Sequence, residues 1–447
     1  MHDINKLNPD RLRGQQLYSL ARQLIPGGTQ LLSKRPEMYA PGQWPPYFER
    51  AAGVEVTDLD GRTFVDMTSM GLGASLLGYA DPDVEAAVID RLRRGSTTTL
   101  NCPEDVYLAQ VLIGLHPWAE MARFCRGGGE AMAIAIRIAR AHRKRDLVAF
   151  CGYHGWHDWY LAANLGADGD RLGSHLIAGL EPAGVPRGLA GTALPFTYNR
   201  IDELHAIVRE HGHNLAAIVM EPTRSQPPEG GFLEKVRDIS DKSGACLVFD
   251  EISVGFRLHH GGAHLRYGVM PDIAVFAKAL ANGIPMAAVL GRSAVMQAAQ
   301  TSFISSTFWT EALGPAAAIA AIKKMKESSV HEHVAVIGKM CREGLTSLAE
   351  RHGVPLKVGG HDALMTINFP LPAALAVQTL FTVRMLDHGF LAGAAFYPSL
   401  AHQPSHIMEY LDRADDVFRE IRAAIDAGDV EAMIGGPIRH AGFTRLA

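Results

Sequence analysis

Two short apolar runs, each followed by one charged residue, constrain the fold of this chain most. Residues 245–249 lead into Asp250, and residues 272–277 lead into Lys278. Apolar runs of this length, bounded by turn residues, are typical of strands buried on both faces of a parallel sheet. The carboxyl ends of such strands form the ligand crevice of an open α/β sheet. The sequence therefore predicts that a carboxylate and an amine reach the same edge of one sheet.

The rest of the chain alternates between helical and strand patterns. We predict helices over residues 9–24, 82–94, 103–115, 131–143, 202–211, 232–243, 312–326 and 334–351, and strands over residues 53–57, 63–67, 123–125, 147–150 and 215–220. The two earliest strands flank Asp58-Leu59-Asp60-Gly61, a hairpin signature. Residues 164–200 are rich in Gly and Pro and are predicted to be loop. This alternation predicts a mainly parallel sheet covered by helices on both faces.

Length and composition limit the possible classes of protein. The 447 residues exceed one ordinary core, so we expect a large domain over 76–325, with an N-terminal segment, 1–75, joining a smaller C-terminal domain, 326–447. A net charge of -4 argues against nucleic acid as a partner. Five scattered cysteines without a CxxC pair indicate a reducing compartment. No secretory h-region or apolar membrane-spanning stretch is evident, so we expect a cytoplasmic location.

Asp250 and Lys278 together suggest a cofactor. A buried carboxylate opposite a pyridine nitrogen keeps that nitrogen protonated, and a desolvated lysine can form a Schiff base. This combination is what a pyridoxal phosphate enzyme needs. A capping aspartate and a solvent-facing lysine at a strand end remain the alternatives.

Further residues are candidates for the same site. Gly127-Gly128-Gly129 lies between a strand and a helix, where backbone N–H groups can surround a phosphate. Tyr153 follows the next strand and could stack on a flat cofactor, although a partly buried core tyrosine is equally compatible. The histidines near residues 154–157 and 259–264 lie in loops without metal-ligand spacing, so no metal is predicted.

The strongest pattern is a resemblance to a known family. Residues 249–257 read FDEISVGFR and resemble the DEVxTGFR segment of class III pyridoxal phosphate aminotransferases, with the glutamate-1-semialdehyde 2,1-aminomutase branch most similar. Further matches lie in family order between about residues 25 and 320. They are IPGG at 25–28, DLDG at 58–61, EA at 130–131, AIRIAR at 135–140, YHG at 153–155, EP at 221–222 and KALANG at 278–283.

The resemblance implies a fold-type I homodimer with a seven-stranded, mainly parallel sheet and shared active sites. It implies that Lys278 forms the Schiff base with pyridoxal 5'-phosphate and that Asp250 faces the ring nitrogen. Tyr153 and Ile252 would lie on the two faces of the ring. The remaining residues implied to bind the cofactor or to lie beside the substrate are Gly128, Gly129, Glu221, Ser253 and Thr307, the last of which would reach the partner subunit's phosphate.

Three departures from the family pattern bear on substrate and phosphate binding. Gly127-Gly128-Gly129 stands where the family has Ser-Gly-Thr, so two hydroxyl donors are missing. Ser253 is shorter than the Gln that many aminotransferases have there to reach the phenolic oxygen of the ring. Trp309 and Glu311 differ from the aminomutase pattern and are expected near the site mouth, where they suggest a different substrate.

The predicted function is transfer of an amino group from an amino donor, expected to be an amino acid, to a carbonyl acceptor by a ping-pong mechanism. An intramolecular aminomutase acting on a glutamate-1-semialdehyde-like substrate is the alternative. A non-catalytic homologue that binds the cofactor or a partner is a third possibility, against which the retention of Asp250 and Lys278 argues.

Overall fold

The computed structural model describes residues 12–166, 171–173, 175 and 179–442. The chain separates into two compact units. The first comprises Met1–Met70, Leu77–Ala80 and His333–Ala447, and the second comprises Gly71–Leu76 and Asp81–Glu332. The domain boundaries expected near residues 75 and 325 stay a prediction.

The strands and helices follow each other in the predicted alternation. The strands are β1 (Phe48–Ala52), β2 (Glu55–Asp58), β3 (Thr63–Met67), β4 (Met121–Cys125), β5 (Leu147–Cys151), β6 (Ala193–Pro195), β7 (Leu215–Met220), β8 (Cys246–Asp250), β9 (Ile273–Phe276), β10 (Ala287–Gly291), β11 (Lys357–His361), β12 (Leu364–Asn368), β13 (Phe390–Ala392) and β14 (Ala395–Phe396). The α-helices are α1 (Arg13–Leu24), α2 (Pro82–Arg93), α3 (Pro103–Leu115), α4 (Gly128–Arg143), α5 (Asp158–Leu161), α6 (Ile201–His211), α7 (Phe232–Ser243), α8 (Ala263–Tyr267), α9 (Ser293–Met296), α10 (Leu313–Glu327), α11 (Val330–His352), α12 (Ala374–Asp387), α13 (Pro404–Ala427) and α14 (Val430–Ile434).

The second unit is built on the predicted seven-stranded sheet, with the order β4-β10-β9-β8-β7-β5-β6. Strand β10 is antiparallel to both of its neighbours, and the other pairs are parallel. Strands β4 to β9 therefore run in one direction, and their carboxyl ends meet at one edge. The prediction of a mainly parallel sheet is confirmed.

Helices cover both faces of this sheet because successive strand residues point in opposite directions. Val248 packs in a core that includes Ile134 and Ala135 of α4. Its neighbour Leu247 packs in a separate core that includes Val236 of α7 and Leu204 of α6. All residues of β7, β8 and β9 are buried, as expected for apolar strands covered on both sides.

The first unit contains smaller sheets and long helices. One sheet has the order β1-β2-β3-β13, and another has the order β11-β12-β14. The hairpin predicted around Asp58 is the β2–β3 pair, which is antiparallel. The hydrophobic core of the first unit includes three aromatic rings in contact, those of Phe369, Phe381 and Phe418. Among the described residues, no helix has the length and apolar character needed to span a membrane.

Two predicted boundaries differ from the structure in informative ways. Helix α4 begins at Gly128 rather than at Ala131, because the Glu130 carboxylate caps its start by accepting from the Gly127 amide (3.0 Å). The loop predicted over residues 164–200 is wrong at β6, a three-residue edge strand that pairs with β5 and ends in Pro195. So short a strand leaves little alternation to detect, and its proline is tolerated at a sheet edge. The residues before Leu12 in the first predicted helix lie outside the described residues.

Candidate active site

The carboxyl edge of the seven-stranded sheet places most of the predicted site residues side by side. The glycine turn follows β4, Tyr153 and His154 follow β5, Glu221 follows β7, Asp250 ends β8, and Lys278 comes two residues after β9. All belong to the second unit. Asp250 and Lys278 come from adjacent parallel strands, as the two apolar runs in the sequence predicted.

Asp250 is buried, and its carboxylate has defined partners. His154 Nδ1 lies 2.8 Å from Asp250 Oδ2, and the Ile252 amide donates to Asp250 Oδ1 at 2.9 Å. Only 2% of Asp250 is exposed. His154 Nε2 lies 3.0 Å from the Cys151 carbonyl oxygen. The His154 ring therefore connects the carboxylate at the end of β8 to the Cys151 carbonyl at the end of β5.

Lys278 begins a short 3₁₀ turn, Lys278–Ala281, with a backbone φ of +51°. A left-handed conformation is uncommon for a residue with a side chain, and such residues cluster at active sites. Burial lowers the pKa of the Lys278 amine to about 8, and the nearby positive charge of Arg224 adds to this effect. The amine therefore loses its proton far more readily than an exposed lysine does.

The Lys278 amine donates a hydrogen bond to Ser253 Oγ at 2.9 Å. Sequence reasoning considered Ser253 only as a short replacement for a residue that reaches the ring oxygen. The structure adds a different role, because Ser253 orients the lysine itself. Ser253 is nearly buried, with 9% of its surface exposed.

Glu221 is buried beside the same amine and pairs with Arg224. Arg224 Nη1 donates to both carboxylate oxygens of Glu221, at 3.2 and 3.3 Å. Burial raises the pKa of Glu221, whereas the Arg224 charge opposes this shift. Arg224 follows Glu221 by three residues, but its place in the site was not anticipated from the sequence.

The glycine turn has the shape expected of a phosphate cradle. A Cβ atom on Gly128 would lie 2.9 Å from Ile252 Cδ1, closer than real Cβ contacts allow. A Cβ on Gly129 would lie 3.2 Å from His157 Cδ2. Backbone amides in the first turn of a helix have no intrahelical acceptor, so those of Gly128 and Gly129 remain for an anion. The residues at this turn therefore fit the phosphate of the predicted cofactor.

Of the residues predicted to contact the cofactor ring, Ile252 lies against the glycine turn, and Tyr153 lies near Asp250. Tyr153 packs edge-to-face against Tyr160, with ring centroids 5.7 Å apart, and burial raises the pKa of its hydroxyl. Ile252 approaches Gly128, as described above. Thr307 is exposed at the start of a 3₁₀ turn, Thr307–Thr310.

Glu311 has a structural role that its position in the sequence did not suggest. Its carboxylate lies 2.7 Å from Arg126 Nε and accepts the amides of Leu313 and Gly314 at the start of α10. The Trp309 indole donates to Glu130 Oε1 at 3.3 Å. These contacts join the 309–311 segment to the glycine turn, and the expectation that Trp309 and Glu311 at the site mouth suggest a different substrate stays a prediction.

Sequence reasoning missed His154, Arg224 and Arg126 as parts of the site. His154 was considered only as a metal ligand, although its place in the YHG segment after a buried strand is a signal that could have found it. Arg126 directly follows the end of β4, and Arg224 lies four residues after the end of β7. Polar residues at or shortly after the ends of several parallel strands are thus the pattern that indicates this site.

The fold and these side chains define an enzyme of fold type I that uses pyridoxal 5'-phosphate. The aminotransferase class-III family model matches residues 38–425, and the chain belongs to this family. The protein is an aminotransferase, as predicted, and the predicted cofactor is confirmed.

Relatives and solved structures agree with this assignment. The chain is 33% identical to a 3-aminobutyryl-CoA aminotransferase of Cloacimonas acidaminovorans, over 80% of this chain and 83% of the relative. It is 31% identical to a glutamate-1-semialdehyde 2,1-aminomutase of Desulforamulus reducens, over 92% and 98% of the two chains. The FumI protein of Sphingopyxis sp. MTA144, solved in its PLP internal aldimine form, superposes with a TM-score of 0.85 at 26% identity, covering 94% of this chain and 99% of that chain.

Proposed function

We propose that this aminotransferase takes an amino group from an amino acid donor and passes it to a separate carbonyl acceptor in two half-reactions. Lys278 is the observation that carries this proposal. Its amine has a pKa of about 8, and the residue lies two positions after β9, the strand that pairs with the one ending in Asp250. An amine with that pKa can serve as a nucleophile and can also carry a proton near neutral pH.

The cofactor, when bound, supplies the electron sink that stabilises negative charge at the substrate carbon. Asp250 would hold the proton on the pyridine nitrogen, and His154 keeps Asp250 oriented through the 2.8 Å contact. Gly128 and Gly129 would bind the phosphate through their amides, with Tyr153 and Ile252 on the ring faces.

Lys278 would carry the proton that each half-reaction moves. Once the donor amine is bound, the free Nζ of Lys278 would accept a proton from the substrate carbon and then give that proton up again, acting first as general base and then as general acid. Ser253, which accepts a hydrogen bond from Nζ, orients the amine for this transfer. Glu221, paired with Arg224, would lie on the substrate side of the site.

We propose that two copies of the chain form a homodimer with shared active sites, in which Thr307 reaches the partner subunit's phosphate. Large apolar side chains beside Thr307 support this arrangement, because Phe303 is 88% exposed and Phe308 is 70% exposed. Exposed apolar side chains so close together are typical of an interaction surface. Light scattering of the purified protein should give twice the mass of one chain, and a monomer would contradict the proposal.

An intramolecular aminomutase is the second candidate. It is favoured by the likeness to proteins named glutamate-1-semialdehyde 2,1-aminomutase, which extends over 92% of this chain. An aminomutase returns the amino group to the molecule that supplied it, so an added 2-oxo acid would not increase its rate.

The deciding experiment follows the cofactor absorbance of the purified protein during addition of single amino acids. A transferase should lose the aldehyde form with a donor alone and recover it when a carbonyl acceptor is added. Lys278→Ala should abolish turnover, whereas Lys242→Ala, which changes an exposed lysine of α7, should not. Full turnover of Lys278→Ala would contradict the mechanism, and turnover without any acceptor would favour the aminomutase.

We also propose a cytoplasmic location. All five cysteines are free and buried, as is common where thiols are kept reduced. Localisation of a tagged chain in its native host would test this proposal, and recovery outside the cytoplasm would contradict it.

A further inference from the structure

The glycine turn offers few donors for a phosphate dianion. Glu130 Oε2 accepts hydrogen bonds from the amides of Arg126 (3.2 Å) and Gly127 (3.0 Å), so these two amides are already used. The turn itself has no side-chain donor, since residues 127–129 are all glycine. Within this turn, the backbone amides of Gly128 and Gly129 therefore remain as hydrogen-bond donors for a phosphate.

The cationic side chain beside the turn is also committed elsewhere. Arg126 Nη2 donates to the carbonyl oxygens of Trp309 (3.2 Å) and Glu311 (2.7 Å). Arg126 Nη1 donates to the Cys125 carbonyl, and Nε lies 2.7 Å from the Glu311 carboxylate. This guanidinium therefore ties two segments together and does not point to the phosphate cradle.

His157 lies directly against the turn. A Cβ built on Gly129 would be 3.2 Å from His157 Cδ2 and 3.4 Å from His157 Nε2. The backbone at Gly155, two residues before His157, also lies close to Gly129, since a Cβ on Gly155 would be 3.1 Å from Gly129 Cα. The Cδ2–Nε2 edge of the imidazole thus occupies the space beside Gly129 where a side chain would otherwise lie.

The imidazole of His157 is held in place and remains available. Its ring stacks on Trp156 with centroids 4.5 Å apart, and its carbonyl oxygen accepts the Tyr160 amide at the start of α5. Within the described parts of the chain, no hydrogen bond to its ring nitrogens is formed. Burial lowers the pKa of His157, so the free ring is neutral at pH 7 and carries one N–H donor.

We propose that His157 is a ligand of the cofactor phosphate and supplies, through Nε2, the side-chain donor that the glycine turn lacks. The proposal rests on the proposed placement of the phosphate at Gly128 and Gly129. A phosphate bound there would meet the two glycine amides and the positive end of the α4 dipole, and beside them this imidazole. The adjacent Trp156 ring would keep the imidazole aligned.

The test compares two ligands that differ only in the phosphate. Cofactor-free enzyme is prepared from the holoenzyme and titrated with pyridoxal 5'-phosphate or with pyridoxal, and the dissociation constants are read from absorbance. His157→Ala should weaken binding of the phosphorylated form about 10- to 100-fold, the effect of losing one hydrogen bond to a charged acceptor. It should leave pyridoxal binding unchanged.

Two further variants complete the test. His157→Gln places an amide N–H near the position of Nε2 and should recover most of the lost affinity, also providing a readout if the alanine variant fails to fold. His205→Ala removes an exposed histidine of α6 and should change neither constant. Equal weakening of both ligands by His157→Ala, or no weakening of either, would overturn the inference. Failure of the unmodified enzyme to bind pyridoxal 5'-phosphate would instead contradict the assignment of the cofactor.

Discussion

The contact between His154 and Asp250 gives the sharpest prediction for the stability of the active site. His154→Phe keeps an aromatic ring, somewhat larger than the imidazole, but removes both nitrogens. The Asp250 carboxylate, 2% exposed, then loses its 2.8 Å partner on Oδ2 and keeps the Ile252 amide on Oδ1. The Cys151 carbonyl oxygen loses a donor as well.

The expected cost follows from leaving a charge buried without its partner. Removing one member of a buried ion pair typically destabilises a protein by about 3–5 kcal/mol, more than the pair itself contributes. His154→Asn retains an amide that can donate to Asp250 Oδ2, so it should recover a large part of this loss. The exposed control His205→Ala should change the free energy of unfolding by less than about 0.5 kcal/mol.

The assay is urea unfolding of the cofactor-free protein, followed by circular dichroism near neutral pH. The absence of cofactor separates the effect on folding from any effect on binding. The reasoning would be refuted if His154→Phe were as stable as the unmodified protein, or if His154→Asn were no more stable than His154→Phe. The first outcome would mean that Asp250 is protonated or hydrated in the folded chain.

Three further predictions concern the glycine turn, the start of helix α10 and the Lys278 amine. Gly128→Ala should weaken binding of pyridoxal 5'-phosphate roughly tenfold, because the added Cβ would displace Ile252 Cδ1. Adding Ile252→Val, which lacks that atom, to the Gly128→Ala variant should restore part of the lost affinity. Absorbance titration measures the affinity of both variants. Glu311→Ala should reduce the free energy of unfolding by about 1–3 kcal/mol, since it removes an ion pair and the cap of α10. The rate of covalent cofactor capture should rise with pH around a midpoint of about 8, as the Lys278 amine loses its proton. Arg224→Met should move that midpoint upward, because the lost positive charge had lowered the Lys278 pKa; stopped-flow absorbance at a series of pH values checks this.

Each of these expectations has a clear contrary result. Normal cofactor affinity in Gly128→Ala would show that Ile252 moves aside without consequence for the cradle. An unchanged free energy of unfolding in Glu311→Ala would mean that its partners find water or other acceptors. A midpoint unchanged or lowered by Arg224→Met would remove Arg224 as a cause of the Lys278 shift.

Local patterns in the sequence predicted five of the seven strands of the sheet, β4, β5, β7, β8 and β9, together with its charged strand ends, but not β6 or β10. Residues 245–249 before Asp250 and residues 273–277 before Lys278 are apolar at every position, and only strands covered on both faces bury such runs completely. The start of α2 agrees with the helix predicted over residues 82–94, and there Asp81 accepts the amides of Asp83 and Val84. Strand β6 was missed because three residues carry almost no periodic signal.

The sequence by itself thus determined the class of fold, the cofactor and the arrival of Asp250 and Lys278 at one edge of the sheet, because these depend on patterns among residues that are near neighbours along the chain. Only the tertiary structure decided which side chains serve them. His154 reaches Asp250 across 96 positions of sequence, and Arg126 reaches the Glu311 carbonyl across 185. The place of His157 beside Gly129 also depends on how two loops pack. Such contacts form where separate strands end at one edge, and no local pattern encodes which of their side chains meet there.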